Sequence, residues 1–151
     1  MGKIDDVLQP APLEALRKAY KNEDAVQILS SGIPALDDRT AGYIDAIRHA
    51  FYEGANMQPK DRERCLIAVL ASRDAGLNLA IHIYLGLMAL LSPGEVADII
   101  FLGGIYSGVD RISDGLAAEM KTLMVLAQVA AAPGGCSVEQ VITALRQAFA
   151  R

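Results

Sequence analysis

The chain has no tryptophan, only 5% aromatic residues, two cysteines and two histidines in 151 residues. Cys65 and Cys136 stand far apart with no CxxC and no cysteine/histidine ligand cluster. That excludes a thiolate metal site and a small disulfide scaffold, and it suits a reducing compartment. Lys and Arg number 14 against 18 Asp and Glu, for a net charge of -4, and they form no dense patch. The electrostatic footprint of a nucleic-acid binder is therefore missing. The opening residues, MGKIDDVLQPAPLEAL, lack the apolar core of a signal peptide, so the cytoplasm is the expected location.

What the chain does have is aliphatic mass: 52% hydrophobic residues and a mean hydropathy of +0.27, carried mostly by Ala, Leu, Ile and Val. Ala and Leu favour helix, and no alternating strand pattern of any length competes. The length fits one domain over residues 1–151. Residues 75 to 94 form a charge-free run of 20, close to the ~20 residues that cross a bilayer. Against a span, the run carries Asn78 and His82, ends in Ser92-Pro93-Gly94, and is followed by shorter apolar stretches with no positive-inside bias. Burial in protein, not lipid, is the expectation.

Helix signals then partition the chain. Pro12 opens PLEALRKAY, with Leu13, Leu16 and Tyr20 on one face. After an irregular stretch through Gly32 and Pro34, Thr40 is a candidate N-cap for a helix carrying Ile44, Ile47 and Phe51 and stopping at Gly54. Pro59 starts a helix punctuated by Gly76, and the apolar helix through His82 follows. Ser92-Pro93-Gly94-Glu95 has the spacing of a capping box ahead of Val96, Ile99 and Ile100, in a helix that stops at Gly108. A long helix is expected from about Ser113 to Ala131, and Ser137 with Gln140 repeats the box before Val138, Val141, Ile142, Leu145 and Phe149.

The result is an all-α bundle of six or seven helices. A helix apolar all round is buried all round, and one chain of this size covers such an element poorly. The bundle is therefore expected to be completed by oligomerisation. Gly104 and Gly108, four apart, allow close helix contact, or are ordinary small residues in a crowded core.

The placement of His82 in LNLAIHIYLG is the sharpest chemical feature. Asn78 and His82 are i and i+4 and share a helix face with Leu85 and Gly86. In the preceding helix Glu63 precedes Leu66, Ile67 and Leu70 by three, four and seven residues, which puts its carboxylate on the apolar stripe. Arg62 and Arg64 beside it read as first-turn surface residues. In a hairpin folded at Gly76, Glu63 lies a helix length from the turn and His82 only about 9 Å from it at ~1.5 Å per residue, so spacing does not force contact. Two readings stay open: a core histidine bonded to a carbonyl or hydroxyl beside a dipole-stabilised Glu, or a buried acid and imidazole tuned for general acid/base work.

The run PKDRERCLIAVLASRDAGLNLAIHIYLGLMALLSPGEVADIIFLGGIYSG resembles the core of the carboxymuconolactone decarboxylase superfamily, which includes the alkyl hydroperoxidase D-like proteins. The likeness covers about residues 57 to 120. It rests on RE opening an apolar helix, the His ahead of a small and apolar segment, the SPGEV helix start and YSG closing that helix. It implies that Glu63 and His82 occupy the family's Glu and His positions with their separation of 19 preserved, while Ala75 and Asn78 stand where the hydroperoxidase branch has its two cysteines.

The resemblance implies an alkyl hydroperoxidase D-like helical fold assembled as a trimer or hexamer. It implies decarboxylase-type chemistry on a small lactone or carbonyl acid without cofactor or metal. His82 is then the proton-transferring group, Glu63 orients or polarises it, and Asn78 and Tyr106 bond substrate oxygens. Arg73 or Arg111 supplies a cation for the substrate carboxylate, although both also read as ordinary surface arginines. Two alternatives stand beside this: a peroxidase using Cys65, and an oligomer that binds a small molecule or scaffolds a partner without chemistry.

Overall fold

The structure, a computed structural model, describes residues 4–25, 28, 42, 43, 46, 49, 56–73 and 76–150. The helix expected after Thr40, through Ile44, Ile47 and Phe51 to Gly54, and the stretch at Gly32 and Pro34 lie outside the described residues, as does Ala75. Among the described residues the chain is all-helical, with no strand. A short N-terminal 3-10 turn, Ile4–Asp6, precedes α1 (Pro10–Asn22), α2 (Pro59–Arg73), α3 (Leu77–Met88), α4 (Pro93–Ile105), α5 (Val109–Ala130) and α6 (Val138–Ala148). Among them no helix is long and apolar enough to cross a membrane.

Both capping boxes form. Ser92 Oγ accepts from the Glu95 amide at 3.1 Å and Glu95 Oε2 accepts from the Ser92 amide at 2.9 Å. Ser137 and Gln140 exchange the same pair of bonds. Two helix starts differ from expectation. α1 begins at Pro10, because Pro12 sits in the first turn, where amide protons have no intrahelical partner and a proline costs nothing extra. α5 begins at Val109, four residues before Ser113. Gly108, at φ 108°, takes the left-handed turn that ends one helix and lets the next start at once.

α3 is the centre of the bundle, packed by α1, α2, α5 and α6. Leu79, Ala80, Ile83, Tyr84 and Leu87 are fully buried within one chain. The sequence argument that such a helix needs a neighbouring subunit to cover it is thus corrected. Its apolar faces are covered locally, and Val69, Phe101, Leu102, Ile105, Tyr106 and Val109 are among the apolar side chains exposed elsewhere. Gly104 is buried against Ile112 where α4 meets α5, so it serves packing inside the chain.

The end of α3 is fixed twice. Leu91 N–H bonds Gly86 O at 2.9 Å and Leu90 N–H bonds Leu87 O at 3.3 Å, the two bonds of a Schellman motif, with Leu90 at φ 72° where glycine is usual. From α1, Arg17 donates to Leu87 O at 3.0 Å and to Leu91 O at 3.3 Å. The Gly86 and Leu87 carbonyls at the helix end are thereby satisfied, and α3 is held in register one turn beyond His82.

Candidate active site

Glu63 and His82 meet. His82 Nδ1 lies 2.8 Å from Glu63 Oε2, within one chain. Glu63 is 2% exposed and His82 24%, so a buried carboxylate holds an imidazole that keeps an edge toward solvent. A carboxylate can only accept, so Nδ1 carries the proton in the neutral ring and the lone pair is at Nε2. Among the described residues His82 has no other hydrogen-bond partner.

The contact follows from the register of the hairpin. A Cβ placed on Gly86 would lie 3.7 Å from Glu63 Cβ, so the two residues are level on facing helices. The same Cβ would come within 2.8 Å of Leu91 Cδ1 and 3.0 Å of Ile67 Cδ1. A side chain at this position would have to push those two methyl groups aside. Glu63 then needs to reach back about one helical turn, ~5.4 Å, to find His82. Linear reckoning from Gly76 left the two apart because it ignored that reach.

Two further residues belong to this neighbourhood. Arg62 Nε lies 3.5 Å from Glu63 Oε1, so each carboxylate oxygen has a partner and the buried charge is compensated. Its side chain is largely buried, which corrects the reading of Arg62 as a first-turn surface residue. Arg64 does lie outward, bonded to Asp61 and Glu95. From α1, Tyr20 packs edge-on against Tyr84 with centroids 6.0 Å apart. Burial raises the Tyr20 hydroxyl above its ordinary value, the Glu63 carboxylate adds to the rise, and Arg62 opposes it. Nothing in local spacing links residue 20 to residue 63; only the fold does.

The other candidates do not bond the pair. Asn78, one turn before His82, is exposed, as are Arg73 and Arg111. Tyr106 is 96% exposed. None of the four makes a hydrogen bond or ion pair with Glu63 or His82. Cys65 is exposed, and because it lies two residues after Glu63, some 200° around the helix, it faces away from His82. A surface depression of about 350 Å³ on α6, lined by Glu139, Gln140, Thr143, Ala144 and Gln147, contains none of these residues.

One acidic residue escaped the sequence reading. Glu119 in α5 is fully buried, and neither carboxyl oxygen has a hydrogen-bond partner. The signal was present: Glu119 shares an apolar stripe with Leu116, Leu123 and Leu126, the same argument that singled out Glu63.

Set against protein-family models, curated proteins and solved structures, the chain matches none.

Proposed function

We propose that the chain is a carboxymuconolactone decarboxylase-like enzyme using the Glu63–His82 pair for cofactor-free proton transfer to a small lactone or carbonyl acid. The observation that carries this is the 2.8 Å contact of a buried carboxylate with Nδ1 of a partly exposed imidazole. It is the arrangement that fixes the tautomer and presents Nε2 to a reacting group. The sequence resemblance supplies the reaction class.

In that reaction the bond between the substrate's carbon and its carboxylate breaks, carbon dioxide leaves, and the electron pair stays behind, delocalised toward the lactone carbonyl. The carbon then takes a proton from Nε2 of protonated His82, which regains one from water. Glu63 stabilises the imidazolium beforehand and keeps the ring aimed. Asn78 and Tyr106 would bond substrate oxygens, and Arg73 or Arg111 would meet the carboxylate. Since none of these four bonds either member of the pair, the reading includes a homo-oligomer, trimer or hexamer, in which a second copy brings such residues over His82. The exposed Leu102, Ile105, Tyr106 and Val109 support that assembly.

Among the described residues the cation beside the pair, Arg62, faces Glu63, which also favours a second reading, a small-molecule-binding oligomer without chemistry. The peroxidase reading draws no support from an exposed Cys65 turned away from His82. Carbon dioxide release from a carboxylated lactone decides among them. The decarboxylase reading expects release that falls at least a hundredfold in His82→Ala and is unchanged in Cys65→Ser. Turnover of a peroxide that depends on Cys65 would replace it with the peroxidase reading. Ligand-induced thermal stabilisation with no turnover in any variant would replace it with the binding reading.

A further inference from the structure

Arg62, Glu63 and His82 form a row with the carboxylate in the middle: Oε1 faces Arg62 Nε at 3.5 Å and Oε2 faces His82 Nδ1 at 2.8 Å. The carboxylate side chain is 2% exposed and the guanidinium side chain 12%, so water screens neither of them well. A buried carboxylate beside an imidazole, with no cation, recovers neutrality by taking up a proton, which rests on the more basic ring as imidazolium. Such a proton is tightly held. With a guanidinium on its other oxygen the carboxylate is already compensated, and a proton added to the ring gives the row a net positive charge. The cation thus works against the imidazolium that the carboxylate favours.

The other charged groups on the elements packed against α2 and α3 turn to other partners or to solvent. On α2 itself, Lys60 and Arg64 pair with Glu95 of α4, Arg64 also pairs with Asp61, and Arg73 is exposed ~15 Å further along the helix. On α1, Arg17 bonds the carbonyls at the end of α3 and lies 4.0 Å from Glu14, while Lys18 and Lys21 are exposed. Tyr20 is the titratable group of α1 that faces Glu63 and Arg62. Glu23, just past α1, accepts from the Val138 amide at the start of α6. Asp98 of α4 is exposed, as are Asp110, Arg111 and Asp114 of α5 and Glu139 and Arg146 of α6. Lys121 of α5 lies over the Phe149 ring, and the charges acting on buried Glu119 are Asp5 and Asp98. Among the described residues Arg62 is therefore the cation in contact with the pair.

We propose that Arg62 is a positioning residue that loosens the proton on His82: its charge, set on the other oxygen of Glu63, keeps the imidazole able to give up its Nε2 proton and take one back. The catalytic meaning of this rests on the decarboxylation proposed above, in which protonated His82 must release that proton to the substrate carbon. There the Nε2–H bond breaks, its electron pair stays on the ring, the carbanion carbon takes the proton, and solvent returns one to Nε2. Arg62 itself gives up no proton. Its contact runs through Nε at 3.5 Å, so a lysine ammonium can stand in for the charge.

Imidazole ¹⁵N NMR of the full chain between pH 5 and 9 tests this with no substrate present. At a given pH the ratio of imidazolium to neutral ring at His82 is expected to rise at least about fivefold in Arg62→Gln, which keeps a donor for Glu63 but no charge. In Arg62→Lys the ratio returns to within about twofold of the native one. An unchanged ratio in Arg62→Gln overturns the proposal and leaves Arg62 a purely structural residue. An equal rise in Arg62→Lys overturns it too, because the effect then follows shape and not charge. Should Arg62→Gln fail to fold, the native chain still decides: the Arg62 Nε–H signal must move over the same pH range as the His82 ring nitrogens, and a signal that stays fixed while His82 titrates contradicts the proposal. Failure of the decarboxylase reading is seen separately, as a native chain that releases no carbon dioxide while these ratios still hold.

Discussion

Glu63 and Gly86 stand level on facing helices, and from that level Glu63 reaches His82 one turn away. The space beside Gly86 is taken by the Leu91 and Ile67 side chains. Gly86→Ala is expected to force Leu91 and Ile67 aside and to destabilise the chain by about 1–3 kcal/mol, the range for overpacking a dense core. Thermal unfolding reads the loss. A variant as stable as the native chain would mean that the two helices part freely at this level.

Stability should fall with rising pH through Glu119. Its folded value, about 8, lies above the ordinary 4.5, so its favourable contribution is complete below about 4.5 and is lost as pH rises toward and through 8. At about 1.4 kcal/mol per unit of displacement, the loss is on the order of a few kcal/mol. Melts at pH 5.5 and 8.5 check it: the native chain should lose stability relative to Glu119→Gln at the higher pH. Parallel melting of the two across that range would remove Glu119 from the balance.

Leu90 pays for its left-handed conformation without compensating burial, being largely exposed. Leu90→Gly should therefore leave the chain unchanged or stabilise it by up to about 1 kcal/mol, the relief of a strained C′ position offsetting the freer unfolded chain. Chemical denaturation measures it. A loss above about 1 kcal/mol would show that the exposed leucine packs on something that a single chain does not contain.

Ser92→Ala should cost about 0.5–2 kcal/mol by removing the N-cap of α4. Glu95 belongs to the same box: the Ser92 amide first, then Lys60 and Arg64, hold its carboxyl down to about 2. A lowered value means that its contribution is present above about 4.5 and is lost as pH falls toward 2. The cost of Glu95→Gln should accordingly shrink between pH 6 and pH 3, read by melts at both. A cost independent of pH would show that Glu95 acts by packing.

The helical class and both capping boxes were legible because they depend on residues three or four apart, at Ser92 and Glu95 and at Ser137 and Gln140. Glu63 and His82 were legible as candidates for the same reason, each standing on an apolar stripe. Their contact was not, since it depends on the register between two helices, which local spacing does not carry. Arg62 was misassigned because a guanidinium on a long stem reads as surface until the neighbouring helix is in place. The cover over α3 also escaped the sequence, which shows that the helix is greasy but not how many neighbours one chain can wrap around it.

The central claim is that Glu63 holds the His82 ring with its proton on Nδ1 and its lone pair on Nε2. With only two histidines in the chain, ¹⁵N NMR of the imidazoles, assigned with a His49→Asn variant, tests it directly. The account predicts the Nδ1–H tautomer for neutral His82, with a hydrogen-bonded proton signal that disappears in Glu63→Ala. An Nε2–H tautomer, or a His82 signal indifferent to the loss of Glu63, would contradict it.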